Sequence, residues 1–301
     1  MPIHIDAISR RQFLRRGALA GAGFLSLRSK VFAADSAESH WALLSDTHIA
    51  ANPDHVLRDV NMGKNLHSVV GEVTALKDKL AGIFINGDCA LSEGLQGDYT
   101  TFTSFIAPFV ERKNSIHMTL GNHDNRSNFL NAFESERALA KPVESKHVSL
   151  VESENVNWVL LDSLDVTNKT PGKLDQPQRD WLAKLLDAHA SKNTIVMVHH
   201  NPNMTPEKKT GIADTAELFE ILLPRRHVKA LMFGHSHRWE ISKRDDLHLI
   251  NLPATAYVFS KEQPSGWVDC HIAATGATLE LRSLNADHPA HGKKTELTWR
   301  T

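Results

Sequence analysis

What this chain of 301 residues has little of bounds it first. It carries two cysteines, Cys89 and Cys270. That excludes the disulfide framework that staples small secreted domains, so the fold must rest on a hydrophobic core. The pair lies far apart in sequence, and we expect two buried thiols rather than a bridge. No apolar run reaches the ~20 residues that cross a bilayer. Neither sign of charge dominates, with 34 Lys and Arg against 35 Asp and Glu. A basic nucleic-acid-binding surface is therefore not expected. No internal repeat, low-complexity segment or Pro/Gly/Ser-rich linker interrupts the chain, which favours one domain. Hydrophobic residues at 41% and charged residues at 23% are ordinary for a globular protein with a real core.

What is present begins at the N-terminus. Ser9-Arg10-Arg11-Gln12-Phe13-Leu14-Arg15 is a twin-arginine pattern, and small apolar residues follow from Gly17 to Leu27. Val31-Phe32-Ala33 then offers small residues where a signal peptidase reads. The order of the three regions resembles a bacterial twin-arginine signal over residues 1–33. It implies passage through the twin-arginine export machinery to the periplasm or another exported location, without stable membrane insertion. Residues 1–33 hold six Lys and Arg and one acidic residue; taken from 34 and 35, they leave 28 basic and 34 acidic residues, a net charge of −6.

Beyond the signal, short apolar runs alternate with amphipathic stretches. Strands are predicted at 41–45, 83–86, 116–120, 147–151, 158–161, 194–198, 230–233, 247–252, 267–272 and 278–284. Helical spacing occupies 56–79, 99–111, 128–138, 176–190 and 213–223. The alternation predicts an α/β layered domain over residues 38–285. Several later strands have no helix between them, which makes the sheets mixed. Residues 286–301 are expected to form a loosely held polar tail.

Five short motifs follow predicted strands: Asp46-Thr47-His48, Gly87-Asp88, Gly121-Asn122-His123-Asp124, His199-His200 and Gly234-His235-Ser236-His237. In open α/β sheets, ligands bind outside the carboxyl ends of the strands. Five strand ends can therefore bring these side chains to one place. Asp46 and His48 are two residues apart, as are His235 and His237, and i, i+2 side chains of an extended segment share a side. Each pair can reach one ion. Asp88 is the carboxylate placed to bridge two. Mixed nitrogen and oxygen ligation suits Mn, Fe or Zn better than Ca or Mg. The remaining histidines, His271 among them, are assigned to the surface or the core, and Trp158, Trp181 and Trp267 to packing.

The five motifs, complete and in order from residue 46 to 237, resemble the calcineurin-like metallophosphoesterase superfamily. The resemblance implies two packed mixed sheets flanked by helices, with a dinuclear centre at the strand ends. Asp46, His48, Asp88 and His237 would hold one metal ion. Asp88, Asn122, His199 and His235 would hold the other, with His200 as the alternative to His199. His123 would be the general acid or charge stabiliser, and Asp124 would hydrogen-bond it and fix its tautomer. The implied activity is hydrolysis of small phosphate mono- or diesters by a metal-bridging hydroxide. The stretches around Gly97-Asp98-Tyr99 and Gly172–Leu182 look similar to the branch of cyclic-nucleotide and glycerophosphodiester phosphodiesterases. A metal-stabilised binding protein and a nuclease are the rival readings; the retained His123 argues against the first and the acidic mature charge against the second. Oligomeric state is not legible in the sequence.

Overall fold

Fourteen strands and five helices are found among the residues described by the computed structural model, 38–133, 142–205, 207 and 209–301. The twin-arginine pattern lies outside them. One six-stranded sheet has the order β14-β13-β12-β1-β4-β5. Its members are β1 (Ser39–Ser45), β4 (Gly82–Asn86), β5 (Ile116–Thr119), β12 (Gly266–Ile272), β13 (Gly276–Ser283) and β14 (Lys294–Thr298). The second runs β10-β11-β9-β8-β7-β6. It is built from β6 (Ser149–Glu152), β7 (Asn157–Leu160), β8 (Thr194–Met197), β9 (Val228–Phe233), β10 (Glu240–Arg244) and β11 (Leu247–Asn251). Both are mixed: β1, β4 and β5 pair in parallel, as do β7, β8, β9 and β11, while β12, β13, β14, β10 and β6 pair antiparallel with their neighbours.

The period of two along the strands sorts their side chains into layers. Trp41, Leu43, Phe84, Val268 and Cys270 face the second sheet and pack with Trp158, Leu160, Ile195 and Met197. Ala42, Leu44, Ile83, Ile85 and Trp267 face the other way. They are covered by α1 (Met62–Ala75), α2 (Gln96–Glu111) and α3 (Arg126–Ala132). The far face of the second sheet is covered by α4 (Gln176–Ala188) and α5 (Thr215–Leu222). Local chemistry starts these helices where the sequence offers caps. Asn61 accepts from Lys64 N, Asn125 from Asn128 N and Asp175 from Gln178 N, each satisfying an otherwise orphaned helical donor. Cys89 and Cys270 are both buried, in cores on opposite sides of the first sheet, which rules out a bridge between them.

Two expectations need correction. The run expected to be helical from residue 56 opens with a two-stranded hairpin, β2 (Val56–Leu57) and β3 (Val60–Asn61), before α1 begins. Arg58 and Asp59 take positive φ angles of 54° and 64° there, and so cannot continue a helix. The stretch from residue 286 is not loosely held. It carries β14, paired to β13, and buries Leu297, Trp299 and Arg300. The Arg300 guanidinium donates to the carbonyls of Val228, Leu222 and Arg225. The compact unit accordingly extends to Thr301. Among the described residues, no helix is long and apolar enough to cross a membrane.

Candidate dinuclear metal centre

The five motifs lie just past the carboxyl ends of β1, β4, β5, β8 and β9, so both sheets contribute. The two halves are tied together at this rim. Asn86 Nδ2 donates to the Val198 carbonyl, and the Asp46 carboxylate accepts from His235 N. The backbone turns sharply at the candidate ligands. Asp46, His48, Asp88, His235 and His237 all have φ between 48° and 66°. That region is costly for residues with a Cβ, at roughly 1–3 kcal/mol each, and persists only where the surroundings over-determine it. Glycine makes the close approaches. A Cβ on Gly234 would sit 2.2 Å from Ser45 Oγ and 2.5 Å from Asp46 Oδ2; one on Gly121 would sit 2.1 Å from Asp88 Oδ1.

Six of the seven predicted ligands fall into two groups whose ligand atoms lie within 4.8 Å of one another: Asp46, His48 and His237, and Asp88, His199 and His235. Asp88 adjoins both, with Oδ2 at 3.7 Å from His48 Nε2 and 3.2 Å from His199 Nε2. Asp46 Oδ1 lies 3.4 Å from His237 Nε2 and 3.9 Å from His199 Nε2. The seventh, Asn122, is buried beside them, and its Oδ1 has no hydrogen-bond partner among the described residues.

The tautomers explain what the cluster suits. His48 Nδ1 donates to the Leu91 carbonyl, His199 Nδ1 to Asn86 and His237 Nδ1 to Tyr257. A carbonyl only accepts, so each Nδ1 keeps its proton. In the metal-binding form each ring turns an Nε2 lone pair inward, and the Nε2 atoms of His48 and His237 face each other at 3.1 Å. Lone pairs meeting one another and two carboxylates repel unless a cation lies among them. This backbone-fixed orientation is characteristic of metal-binding imidazoles. The residues therefore fit a pair of divalent ions, and the donor set suits borderline transition metals.

The charges agree. Burial raises the Asp46 and Asp88 carboxyls, yet His199 and the neighbouring imidazoles take both below the usual carboxylate range. Burial pulls His199 down, but Asp88 and Asp46 push it up further, to about 10. Burial holds His48 and His235 down to about 4. Two carboxylates thus face one imidazolium, an imbalance that favours a cation; a metal ion there displaces the His199 proton.

His199 rather than His200 reaches the carboxylates. His200 packs its ring on His235 at 4.6 Å and ties Nδ1 to Ser163 Oγ at 2.7 Å. His123 is on the rim, its ring nitrogen within 4.8 Å of the His48 and Asp88 ligand atoms, and its Nδ1 donates to the Ser92 carbonyl at 3.1 Å. Asp124, expected to hold His123, does something else. Its buried carboxylate accepts from Gly121 N, Cys89 N, Ala90 N and Tyr99 Oη, at 2.9–3.2 Å, and so fastens the second motif loop to the third. Burial, and then the Asp88 charge, push its carboxyl up to about 6. The backbone carbonyl that does orient His123 has no side-chain signature to find. Asn168 and Phe259, which join Asn122, His123 and His235 around a cleft of about 460 Å³, carry no motif either.

A profile described as calcineurin-like phosphoesterase matches residues 41–239. The chain is 28% identical over 223 residues to the 3',5'-cyclic adenosine monophosphate phosphodiesterase CpdA of Pseudomonas aeruginosa, covering 72% of this chain and 76% of that protein. It is 27% identical over 204 residues to the probable glycerophosphodiester phosphodiesterase GpdQ of Arcobacter nitrofigilis, covering 65% and 70%. In structure it resembles a dimetal phosphatase from Danio rerio, with a TM-score of 0.68 at 13% identity over 87% of this chain and 99% of the other. With its motif-bearing strand ends inside the matched region, the chain belongs to the calcineurin-like phosphoesterase family and is a metal-dependent phosphoesterase.

Proposed function

We propose that this enzyme hydrolyses small phosphodiesters, of the cyclic-nucleotide or glycerophosphodiester class, in an exported compartment. The observation that carries the diester reading is the cleft wall. Among the described residues, the wall beyond His123 and His235 is made of uncharged groups, Asn168, Thr170, Asn201, Thr210 and Phe259 among them. A diester brings one negative charge, which two metal ions can offset alone. A monoester brings nearly two at neutral pH, and phosphate sites built for that charge commonly add Arg or Lys. The names of the relatives, cyclic-nucleotide and glycerophosphodiester phosphodiesterases, point the same way.

In this reading Asp46, His48, Asp88 and His237 hold one ion, and Asp88, Asn122, His199 and His235 hold the other. Mn, Fe or Zn fits the donors. When bound, the pair supplies a nucleophile at neutral pH and offsets phosphoryl charge. The carbonyls of Leu91, Asn86 and Tyr257 hold the imidazoles in the ligating tautomer. Ser92 holds the Nδ1 proton of His123. Nε2 is thereby the nitrogen that faces the substrate, and in the imidazolium form it gives its proton to the departing alkoxide, leaving the ring neutral. Asp124 is a positioning residue for the two loops. The twin-arginine pattern at Ser9–Arg15 supports the export reading.

The test compares bis(p-nitrophenyl) phosphate with p-nitrophenyl phosphate, which share a leaving group. The diester should have the higher kcat/KM; a clear preference for the monoester overturns the diester reading. Export is tested separately by fractionating cells that carry Arg10→Lys with Arg11→Lys. Periplasmic protein from the wild type but not from the variant supports it, and cytoplasmic protein from both refutes it.

A further inference from the structure

A second cluster of metal-ligating side chains stands at the opposite end of β1. His40 and His271 are directly paired residues of antiparallel β1 and β12, so they share a face of the sheet. Asp269, two residues before His271, shares it too. Six residues of extended chain separate His40 from Asp46, about 20 Å at ~3.3 Å per residue. The cluster therefore stands apart from the centre at the other end of the strand.

Its ligand atoms are gathered closely enough for one small ion to bridge them after a turn of one ring. Asp269 Oδ1 lies 2.6 Å from His40 Nε2 and 3.4 Å from His271 Nε2. One ligand atom from each of the three residues falls within 4.8 Å of the others. The two imidazoles stack with centroids 4.1 Å apart and planes 14° from parallel; because each lone pair lies in its ring plane, the partly exposed His271 ring must swing off the stack for both Nε2 atoms to meet one ion beside the Asp269 oxygen. Tetrahedral ligation at 2.0–2.1 Å requires ligand atoms about 3.3 Å apart. The His271 pair already has that spacing; the His40 pair is drawn closer by the proton it shares, which a metal would replace. The other Asp269 oxygen is engaged by Arg282 Nη2 at 3.3 Å, leaving Oδ1 for the ion. The Arg282 charge is itself offset by Glu280 at 3.1 Å. Glu38 lies 3.8 Å from His271 Nδ1, where a carboxylate steadies a metal-bound imidazole. His40 and Asp269 are buried, whereas the His271 side chain is 34% exposed, so the cluster opens to solvent on one side only.

We propose that His40 Nε2, Asp269 Oδ1 and His271 Nε2 form a peripheral site for one borderline divalent ion, Zn(II) foremost, with solvent as the fourth ligand. Two imidazoles and one carboxylate are a ligand set zinc takes up readily. The site is structural in effect: it pins β12 to the start of β1.

The test counts metal in the full-length protein, equilibrated with zinc under a weak chelating buffer. His271→Ala should bind one zinc fewer per chain than the wild type while diester turnover stays within about twofold; turnover at the distant centre also reports that the variant is folded. Equal zinc in wild type and variant overturns the proposal. If His271→Ala fails to fold, Asp269→Asn gives the same reading. Cobalt supplies a second one. Asp88→Asn, depleted of its catalytic ions, should keep a single cobalt with visible tetrahedral d–d bands, and adding His271→Ala should abolish them. Bands that survive that addition refute the site.

Discussion

The two ends of β1 carry histidine–aspartate clusters built in opposite ways. At the carboxyl end the proposed ligands sit on loops beyond the strands, five of them with left-handed backbone, and three of their imidazoles are aimed by backbone carbonyls. At the amino end His40, Asp269 and His271 lie on extended strands, and sheet register alone brings them together. The difference shows what each arrangement can do. Strand register presents a few ligands on one face, enough to steady a fold. Convergent loops can surround two ions and still leave a cleft for substrate, at the expense of backbone strain that close packing and bound cations must offset.

Substitutions at the loop end should reach both binding and chemistry. Asp88→Asn gives up the carboxylate shared by the two proposed ion sites. It should lose both catalytic ions and at least about a thousandfold in turnover, several kcal/mol of transition-state stabilisation. Metal counting and kcat/KM measure this, and full two-ion occupancy would remove the bridging role. His123→Ala should lower kcat by about 10²–10⁴ while metal content stays unchanged. Loss of its metals with undiminished activity per ion would contradict the assignment. Gly234→Ala tests the close approach between sheets. Its Cβ would press on Ser45 Oγ and Asp46 Oδ2, so metal affinity should fall by roughly 10- to 100-fold, as it does when ligand-orienting contacts are lost. Chelation should cost stability as well as activity. At metal concentrations about a thousand times Kd, each bound ion contributes about 4 kcal/mol. Stripping both should lower Tm by roughly 20 °C.

At the strand end the effects should be smaller and confined to stability. Burial raises the Asp269 carboxyl, but the His40 hydrogen bond and charge take it below the usual range. A depressed carboxylate stabilises the fold above the unfolded pKa of about 3.9, and that contribution is lost as pH falls through the folded value. In zinc-free buffer Asp269→Asn should therefore be the less stable protein near pH 7. The gap should close as pH drops below about 4, as measured by denaturant midpoints. A gap constant from pH 7 to pH 3 would mean that Asp269 acts only by packing.

The two ends also differ in how visible they are in the sequence. The proposed loop ligands come in contiguous motifs after buried apolar runs, so Asp46, His48, Asp88, Asn122, His199, His235 and His237 could be put forward as candidates before any geometry. Ten strands were legible for the same reason, since β1, β4, β7, β8, β9 and β11 are buried on both faces. The edge strands β10 and β14 were not, although β5 and β6, at the opposite edges, were. In β10 only Ile241 is apolar and most positions are exposed, and β14 alternates too weakly to stand out from a polar tail. His40, Asp269 and His271 carry no local pattern, because the pairing that joins them spans more than two hundred residues. The same holds for Ser92 and Tyr99, whose contacts with His123 and Asp124 are fixed by loop packing.

The central claim is that two ions share one carboxylate and act together. Its most direct test is to titrate metal-depleted enzyme with Mn(II), following bound metal and diester turnover in the same samples, in a His271→Ala background. Turnover should stay low through the first equivalent and reach its plateau at two per chain. Full turnover at one equivalent, or none with two ions bound, would contradict the account.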